Sequence, residues 1–278
     1  MNPHRYCVVG HPVEHSRSPW IHARFAQLTG EPVEYGKLLA PLDGFTATVQ
    51  RFRQEGGRGC NVTLPFKFEA ASLAGTLSDR ARLASACNTL RFDAEGVFGD
   101  NTDGAGLVRD IQSAGFAIAG RDVLLVGAGG AGAGVLGPLL QARPSRVVVA
   151  NRTPTKAQAL VDSHAALARA QSVDLASCGL DAVPGAFDIV VNASASSIAG
   201  GGVPVPASVL RPGALAYDMM YGPAAQGFLD WARAHGAMPR DGLGMLVEQA
   251  AESFFVWRGV RPDTGPVLAE LRALLAAG

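Results

Sequence analysis

The feature that most narrows the fold is Val123-Leu-Leu-Val126 running without a break into Gly127-Ala-Gly-Gly-Ala-Gly132, followed by a stretch from Val135 to Leu140 that reads as a helix. A short apolar β-forming run that enters a glycine loop and then a helix reads as a strand buried on both faces, which is the habit of parallel sheets. Parallel neighbours need crossover connections, so strand and helix are expected to alternate through the chain. Glycines at 127, 129 and 132 provide a tight turn, a close backbone approach to a ligand and close packing of the following helix. With Ala128, Gly130 and Ala131 between them, they form the backbone wall of a dinucleotide pyrophosphate site at a helix N-terminus.

The expected alternation runs in two series. In the first, strands are predicted at Arg5 to Gly10, Val33 to Leu39 and Gly59 to Thr63, with helices from Trp20 to Leu28, Leu42 to Phe52 and Pro65 to Leu73. Short strands at Asn88 to Phe92 and Gly96 to Gly99 flank the turn signal Asp93-Ala-Glu-Gly96. The second series starts near residue 103 with a helix over Gly104 to Ala114, then strands at Asp122 to Val126, Arg146 to Ala150, Phe187 to Val191 and Ala214 to Asp218. Apolar positions 243, 246, 247, 250, 254 and 257, then Leu268, Leu271 and Leu275, predict two closing helices whose domain periodicity does not assign. The fold class is α/β, in two domains of mostly parallel sheet.

Charge narrows the partners. Lys+Arg and Asp+Glu stand at 24 each, so no net field draws the chain to nucleic acid or to an anionic membrane, and a small molecule is the favoured ligand. Cys7, Cys60, Cys87 and Cys178 show no CxxC spacing, which points to free thiols in a reducing compartment. No apolar run approaches the ~20 residues that span a bilayer, so a cytoplasmic location is expected. The six histidines are scattered and no metal-ligand spacing is present.

Polar clusters fall at predicted strand ends and helix starts: Ser16-Arg-Ser18-Pro19, Asn61-Val-Thr63-Leu-Pro-Phe-Lys67, Asn88-Thr89 and Asp100-Asn-Thr-Asp103-Gly104. Strand C-terminal ends collect on one edge of a parallel sheet, where ligands bind. Lys67 is unusual because a helix opened by Pro65 would put its cation in a first turn that already carries about half a positive charge. Each cluster also has a plain reading, as helix caps, turn formers or a solvated lysine. In the second series the strand after the glycine loop ends in Asn151-Arg152-Thr153, where a site for NAD would place Asp or Glu. Arg152, Thr153 and Lys156 offer charge and hydrogen bonds to a 2′-phosphate instead, which favours NADP.

Taken in order, these stretches resemble the shikimate dehydrogenase family from end to end. The resemblance is carried by His15-Ser-Arg-Ser-Pro19, Gly59-Cys-Asn-Val-Thr-Leu-Pro-Phe-Lys67, Ala86-Cys-Asn-Thr-Leu90, Gly99-Asp-Asn-Thr-Asp-Gly104 and Val126 to Gly132. Asn151-Arg-Thr153, Tyr217-Asp-Met-Met-Tyr221 and Asp241-Gly-Leu-Gly-Met-Leu-Val-Glu-Gln-Ala250 complete it. It implies an N-terminal substrate domain, residues 1–102 and 238–278, to which the closing helices return, and a Rossmann-type NADP domain, residues 103–237, with the cofactor in the cleft between them. It further implies reversible reduction of 3-dehydroshikimate to shikimate by NADPH, a step of aromatic amino acid (chorismate) biosynthesis, in a monomer or homodimer.

By the same resemblance Ser16 and Ser18 would hold the substrate carboxylate. Asn61, Thr63, Asn88 and Gln249 would bind ring hydroxyls, and Tyr221 would lie near the substrate. Lys67 and Asp103 would form the catalytic pair. Gly127 to Gly132 would cradle pyrophosphate, Asn151, Arg152, Thr153 and Lys156 would meet the adenosine end, and Met219 and Gly242 would line the nicotinamide side. The chemistry suits the residue types: an ammonium stabilises the negative charge that grows on a carbonyl oxygen and donates its proton, while a carboxylate orients it. Asn192-Ala-Ser194 departs from the family's Asn-Ala-Thr, and the loop from Ala195 to Gly202 is unusually small and glycine-rich. Ser16, Ser18 and Arg152 argue against an NAD-dependent paralogue acting on quinate, and the presence of both Lys67 and Asp103 argues against a catalytically silent NADP-binding module.

Overall fold

A computed structural model describes residues 3–194 and 203–277. The chain forms two compact units, Met1–Gly106 with Val247–Gly278, and Leu107–Leu246.

The first unit opens with β1 (His4–Gly10), α1 (Ser18–Thr29), β2 (Val33–Leu39), α2 (Phe45–Gln54), β3 (Gly57–Val62) and α3 (Lys67–Leu73). It continues with β4 (Thr76–Leu77), α4 (Asp79–Ala84), β5 (Thr89–Asp93), β6 (Gly96–Asp100) and the start of α5 (Asp103–Ser113). The sheet order is β2-β1-β3-β5-β6-β4, parallel except that β5 runs against both of its neighbours. That reversal follows from the two-residue turn between β5 and β6, which is too short for a crossover. Val9, Val62 and Cys60 on the strands pack with Phe45, Val49 and Phe52 of α2, Phe66 just before α3 and Ala70 of α3 into one core.

The second unit contains β7 (Asp122–Val126), α6 (Gly130–Gln141), β8 (Arg146–Asn151), α7 (Pro154–Gln171), β9 (Asp174–Gly179), β10 (Phe187–Asn192), β11 (Leu210–Asp218), α8 (Gln226–Ala234) and β12 (Met238–Arg240). Its sheet is all parallel in the order β12-β11-β10-β7-β8-β9. The chain passes from β7 outward to β9 and then returns to β10 on the other side of β7. The carboxyl ends of β7 and β10 therefore flank the point where strand order reverses, where ligands bind in such sheets. Two elements that apolar patterning did not predict, β9 and β12, are the edges of this sheet. An edge strand has one neighbour and lies half-exposed, so it needs no apolar run, and β12 even accommodates Pro239. Asp110 of α5 is fully buried in this unit, gripped by Arg240 Nε and Nη2 at 2.8 and 2.6 Å and by the Tyr217 hydroxyl at 2.7 Å.

The tail forms α9 (Leu243–Arg258) and α10 (Gly265–Ala276). From Val247 onward it belongs to the first unit, where Trp257 stacks on Tyr6 of β1 at 4.6 Å and Phe254 meets Phe25 of α1 edge-on. No helix among the described residues is long and apolar enough to cross a membrane.

Candidate active site

Lys67 is the first residue of α3, and the proline expected to open that helix precedes it. The Phe66 N–H closes a turn onto the Thr63 carbonyl at 3.1 Å, so Pro65 lies inside the turn and the helix begins two residues later. Phe66 is buried against the Phe45 ring at 4.9 Å, and Ala70 faces the same core, which rotates Lys67 away from it. The Lys67 carbonyl accepts the Cys87 N–H at 2.8 Å, tying the helix start to the segment that carries Asn88.

Lys67 Nζ lies 2.5 Å from Asp103 Oδ2, with both side chains largely shielded from water. Asp103 opens α5, where a carboxylate is favoured by the helix dipole. Its other oxygen, Oδ1, accepts Asn88 Nδ2 at 2.8 Å, and its N–H donates to Asn101 Oδ1 at 3.2 Å. The carboxylate thus has each oxygen on a named donor. Next to this turn, Arg80 holds both oxygens of buried Asp100 at 2.7 and 2.5 Å. Burial alone would raise the Asp100 pKa, but Arg80 and the Ser78 hydroxyl leave it below its ordinary value.

Asn61, Asn88 and Gln249 join the same network. Asn88 Nδ2 also reaches Gln249 Oε1 at 3.2 Å, while Asn88 Oδ1 accepts the Thr102 N–H at 2.8 Å. Asn61 Nδ2 donates toward Thr89 Oγ1 at 3.1 Å and Ser253 Oγ at 2.9 Å, and Asn61 Oδ1 accepts the Tyr35 hydroxyl at 2.7 Å. Ser18 is buried at the start of α1 and its N–H donates to Ser16 Oγ at 3.3 Å. Thr63 is half-buried just beyond β3. Tyr221 follows β11 in the second unit. Ser253 and Tyr35 are members of the network that sequence reasoning missed, whereas Thr89 and Thr102 stood in the clusters Asn88-Thr89 and Asp100-Asn-Thr-Asp103 without a role of their own. One signal was available: Gln249 and Ser253 sit four residues apart on a helix that is otherwise apolar along that side, which marks an interior polar stripe.

In the second unit the glycine loop bends at Gly127, whose φ of +111° favours glycine, and its N–H donates to the Ala150 carbonyl at 2.8 Å. A Cβ on Gly132 would stand 2.1 Å from the Gly127 carbonyl oxygen, so any side chain there displaces the loop. Gly129, by contrast, faces open space, and α6 begins at Gly130 with no acidic residue in its first turn. Its first N–H groups have no intrahelical partner and its dipole is uncompensated, which suits a pyrophosphate. Asn151 brackets this loop from β8: Oδ1 accepts the Ala128 N–H at 3.2 Å and Nδ2 donates to the Thr153 carbonyl at 3.0 Å. Arg152, Thr153 and Lys156 are exposed around the start of α7, again without an acid in the first turn. Cations gathered at a positive helix end repel one another and the dipole unless an anion binds, so these residues fit a 2′-phosphate.

Met219 lies just past β11, with its N–H on the Asn192 carbonyl at 3.0 Å. The Gly242 N–H holds the Met220 carbonyl at 2.8 Å, and a Cβ on Gly242 would meet the Met219 carbonyl oxygen at 2.2 Å. Asn192 Nδ2 donates to buried Asp218 at 3.0 Å and Ser194 Oγ donates to Asn192 Oδ1 at 2.7 Å, so the serine of this variant motif serves its own strand end. The glycine-rich loop from 195 to 202 lies outside the described residues.

The description "shikimate dehydrogenase substrate binding domain" matches residues 8–90, "shikimate / quinate 5-dehydrogenase" residues 110–199 and "shikimate 5'-dehydrogenase C-terminal domain" residues 242–272. The chain is 67% identical to shikimate dehydrogenase (NADP(+)) of Acidovorax sp. (strain JS42), over 98% of this chain and 97% of that one. Among solved structures it is similar to an Ael1 enzyme from Pseudomonas putida, with a TM-score of 0.88 at 47% identity over 96% and 98% of the two chains. It is also similar to shikimate 5-dehydrogenase from Thermus thermophilus in complex with NADP(H) and shikimate, with a TM-score of 0.83 at 30% identity over 97% and 99%.

Proposed function

This chain belongs to the shikimate dehydrogenase family, and on that premise we propose that it reduces 3-dehydroshikimate to shikimate with NADPH, reversibly, in aromatic amino acid (chorismate) biosynthesis. The observation that carries the reading is the Lys67–Asp103 pair, with the ammonium on one carboxylate oxygen and Asn88 on the other. NADPH supplies the hydride. Lys67 meets the carbonyl oxygen, stabilises the charge that develops there and gives it a proton from Nζ. In the reverse direction the neutral amine takes the hydroxyl proton back. Asp103 keeps the ammonium aimed at that oxygen. Ser16 and Ser18 hold the substrate carboxylate, and Asn61, Thr63, Asn88, Gln249 and Tyr221 bind its hydroxyls.

The first unit acts as the substrate domain and the second as the NADP domain, with Gly127 to Gly132 on the pyrophosphate, Asn151, Arg152, Thr153 and Lys156 on the adenosine end, and Met219 and Gly242 on the nicotinamide side. The enzyme works in the cytoplasm, as a monomer or homodimer. The test is NADPH oxidation followed spectrophotometrically with purified protein and 3-dehydroshikimate, with quinate and NAD as the comparison pair. Turnover with the first pair is expected; its absence, or preferential turnover of quinate with NAD, overturns the assignment.

A further inference from the structure

The hydrogen bonds of the first unit's polar network have a direction that can be worked out from its fixed ends. A carboxylate accepts only, so Asn88 must turn Nδ2 toward Asp103 Oδ1, and the Thr102 N–H, which donates only, meets the opposite atom, Asn88 Oδ1. Thr89 Oγ1 stands 2.9 Å from that same amide oxygen and therefore gives its hydrogen there. In the 2.8 Å contact between Thr89 and Ser253 the hydrogen then comes from Ser253, shared with the Gln249 carbonyl at 3.0 Å. Asn61 Nδ2 donates to the Asn88 carbonyl at 3.1 Å and toward both hydroxyl oxygens, which turns Asn61 Oδ1 toward Tyr35, whose hydroxyl donates to it at 2.7 Å. Thr89 and Ser253 are fully buried, so no bulk water can replace a missing partner. Tyr35 in turn is stacked flat on buried His22, with ring centres 4.2 Å apart and planes within 7°.

We propose that Tyr35, Thr89 and Ser253 are positioning residues for the reaction: their hydroxyls complete the hydrogen bonds of the Asn61 and Asn88 amides, whose orientation is set by the Asn88 carbonyl, Asp103 and the Thr102 N–H, and so steady Asn88 Nδ2 on Asp103. This rests on reading Lys67 and Asp103 as the reacting pair. An amide that lost its hydroxyl partner keeps its fixed ends, Asp103 and the Thr102 N–H for Asn88 and the Asn88 carbonyl for Asn61, but is held less firmly, which loosens Asn88 Nδ2 on Asp103. The chain thus connects a phenol on β2 to the group that aims the ammonium.

The experiment uses near-isosteric variants of the full-length enzyme. Tyr35→Phe is expected to raise KM for 3-dehydroshikimate about ten-fold with kcat within about three-fold, because Asn61 Oδ1 loses the hydroxyl that donates to it. Thr89→Val is expected to lower kcat about ten-fold and to displace its pH profile, because the support of Asn88 on Asp103 weakens, and Thr89→Ser should restore both. In ¹⁵N NMR the Asn61 side-chain amide signals should move in Tyr35→Phe and those of Asn88 in Thr89→Val, returning in Thr89→Ser. Unchanged KM, kcat and pH profile in both variants, even with a lowered Tm, would reduce the chain to packing and overturn the proposal. Unchanged amide signals overturn it as well, whatever the substrate, whereas a wild-type enzyme inert toward 3-dehydroshikimate counts against the functional assignment alone. Should Thr89→Val fail to fold, Ser253→Ala tests the same chain on Asn61 by the same two readouts.

Discussion

In the function proposed above, the polar network around Asp103 and the glycine loop at Gly127 recognise their ligands by opposite means. The first is made of side chains from β3, β5, the turn before α5 and α9, nearly all buried and hydrogen-bonded to one another. The second is made of contiguous backbone, flanked by the exposed side chains of Arg152, Thr153 and Lys156 after β8. A site of converging side chains can hold a proton donor in a fixed direction, which chemistry on a carbonyl needs. A backbone cradle presents N–H groups that do not titrate, which a permanently charged pyrophosphate needs. The two should therefore fail differently when altered.

The most severe failure is expected at Lys67. Lys67→Ala should lower kcat by at least ~10², the scale of a lost general acid, while KM for 3-dehydroshikimate changes little and NADP⁺ affinity stays the same. A near-normal kcat would remove the distinction on the side-chain half. On the backbone half, Gly132→Ala should weaken NADP⁺ binding about ten- to a hundred-fold, measured by fluorescence titration, because its Cβ would displace the loop at Gly127. Shikimate affinity should be unaltered; an equal loss of both would show that the loop supports the first unit. Arg152→Ala should reduce the preference for NADPH over NADH in kcat/KM about ten-fold, chiefly through NADPH, and an unchanged ratio would remove Arg152 from the 2′-phosphate site.

The smallest effect concerns stability. Burial holds His22 down to about 3 from an ordinary 6.5, with the Asn61 amide pulling slightly the other way. Between those values the unfolded chain binds a proton that the folded chain refuses. Stability is therefore full above the ordinary value and declines as pH falls below it, by about 1.4 kcal/mol per pH unit from this one group. His22→Phe should flatten the fall in Tm on acidification. The residual slope would then reflect groups such as His164 in the second unit, which burial also lowers. An unchanged slope would mean that His22 is not held neutral in the folded state.

How much of this was readable in the chain differs between the two regions. The strand, loop and helix of the cradle are consecutive, so local spacing showed the loop, and the missing acid after β8 pointed to Arg152. For the side-chain site, the motifs named Lys67, Asp103, Asn88 and Asn61 as separate polar marks at strand ends. Of their partners, Thr89 was part of the Asn88-Thr89 cluster, while Tyr35 and Ser253 resembled ordinary strand and helix residues and went unremarked. Pro65 misled because proline commonly opens a helix, but here the Thr63 carbonyl captured the next N–H and delayed the helix to Lys67. The edge strands β9 and β12 escaped because an apolar pattern reports burial on both sides, which edges lack.

By itself the sequence determined which residue types are available and which local geometries they favour: buried parallel strands, a loop only glycine can make, and basic residues at a helix start. These depend on neighbours along the chain, through backbone sterics and periodicity. Only the tertiary structure decided that Asp103 receives Lys67 on one oxygen and Asn88 on the other, and that Tyr35, more than two hundred positions from Ser253, shares a hydrogen-bond chain with it. The physical reason is that the direction of a buried hydrogen bond depends on every partner around it. Those partners come from strands and helices that pack together only when the core has formed.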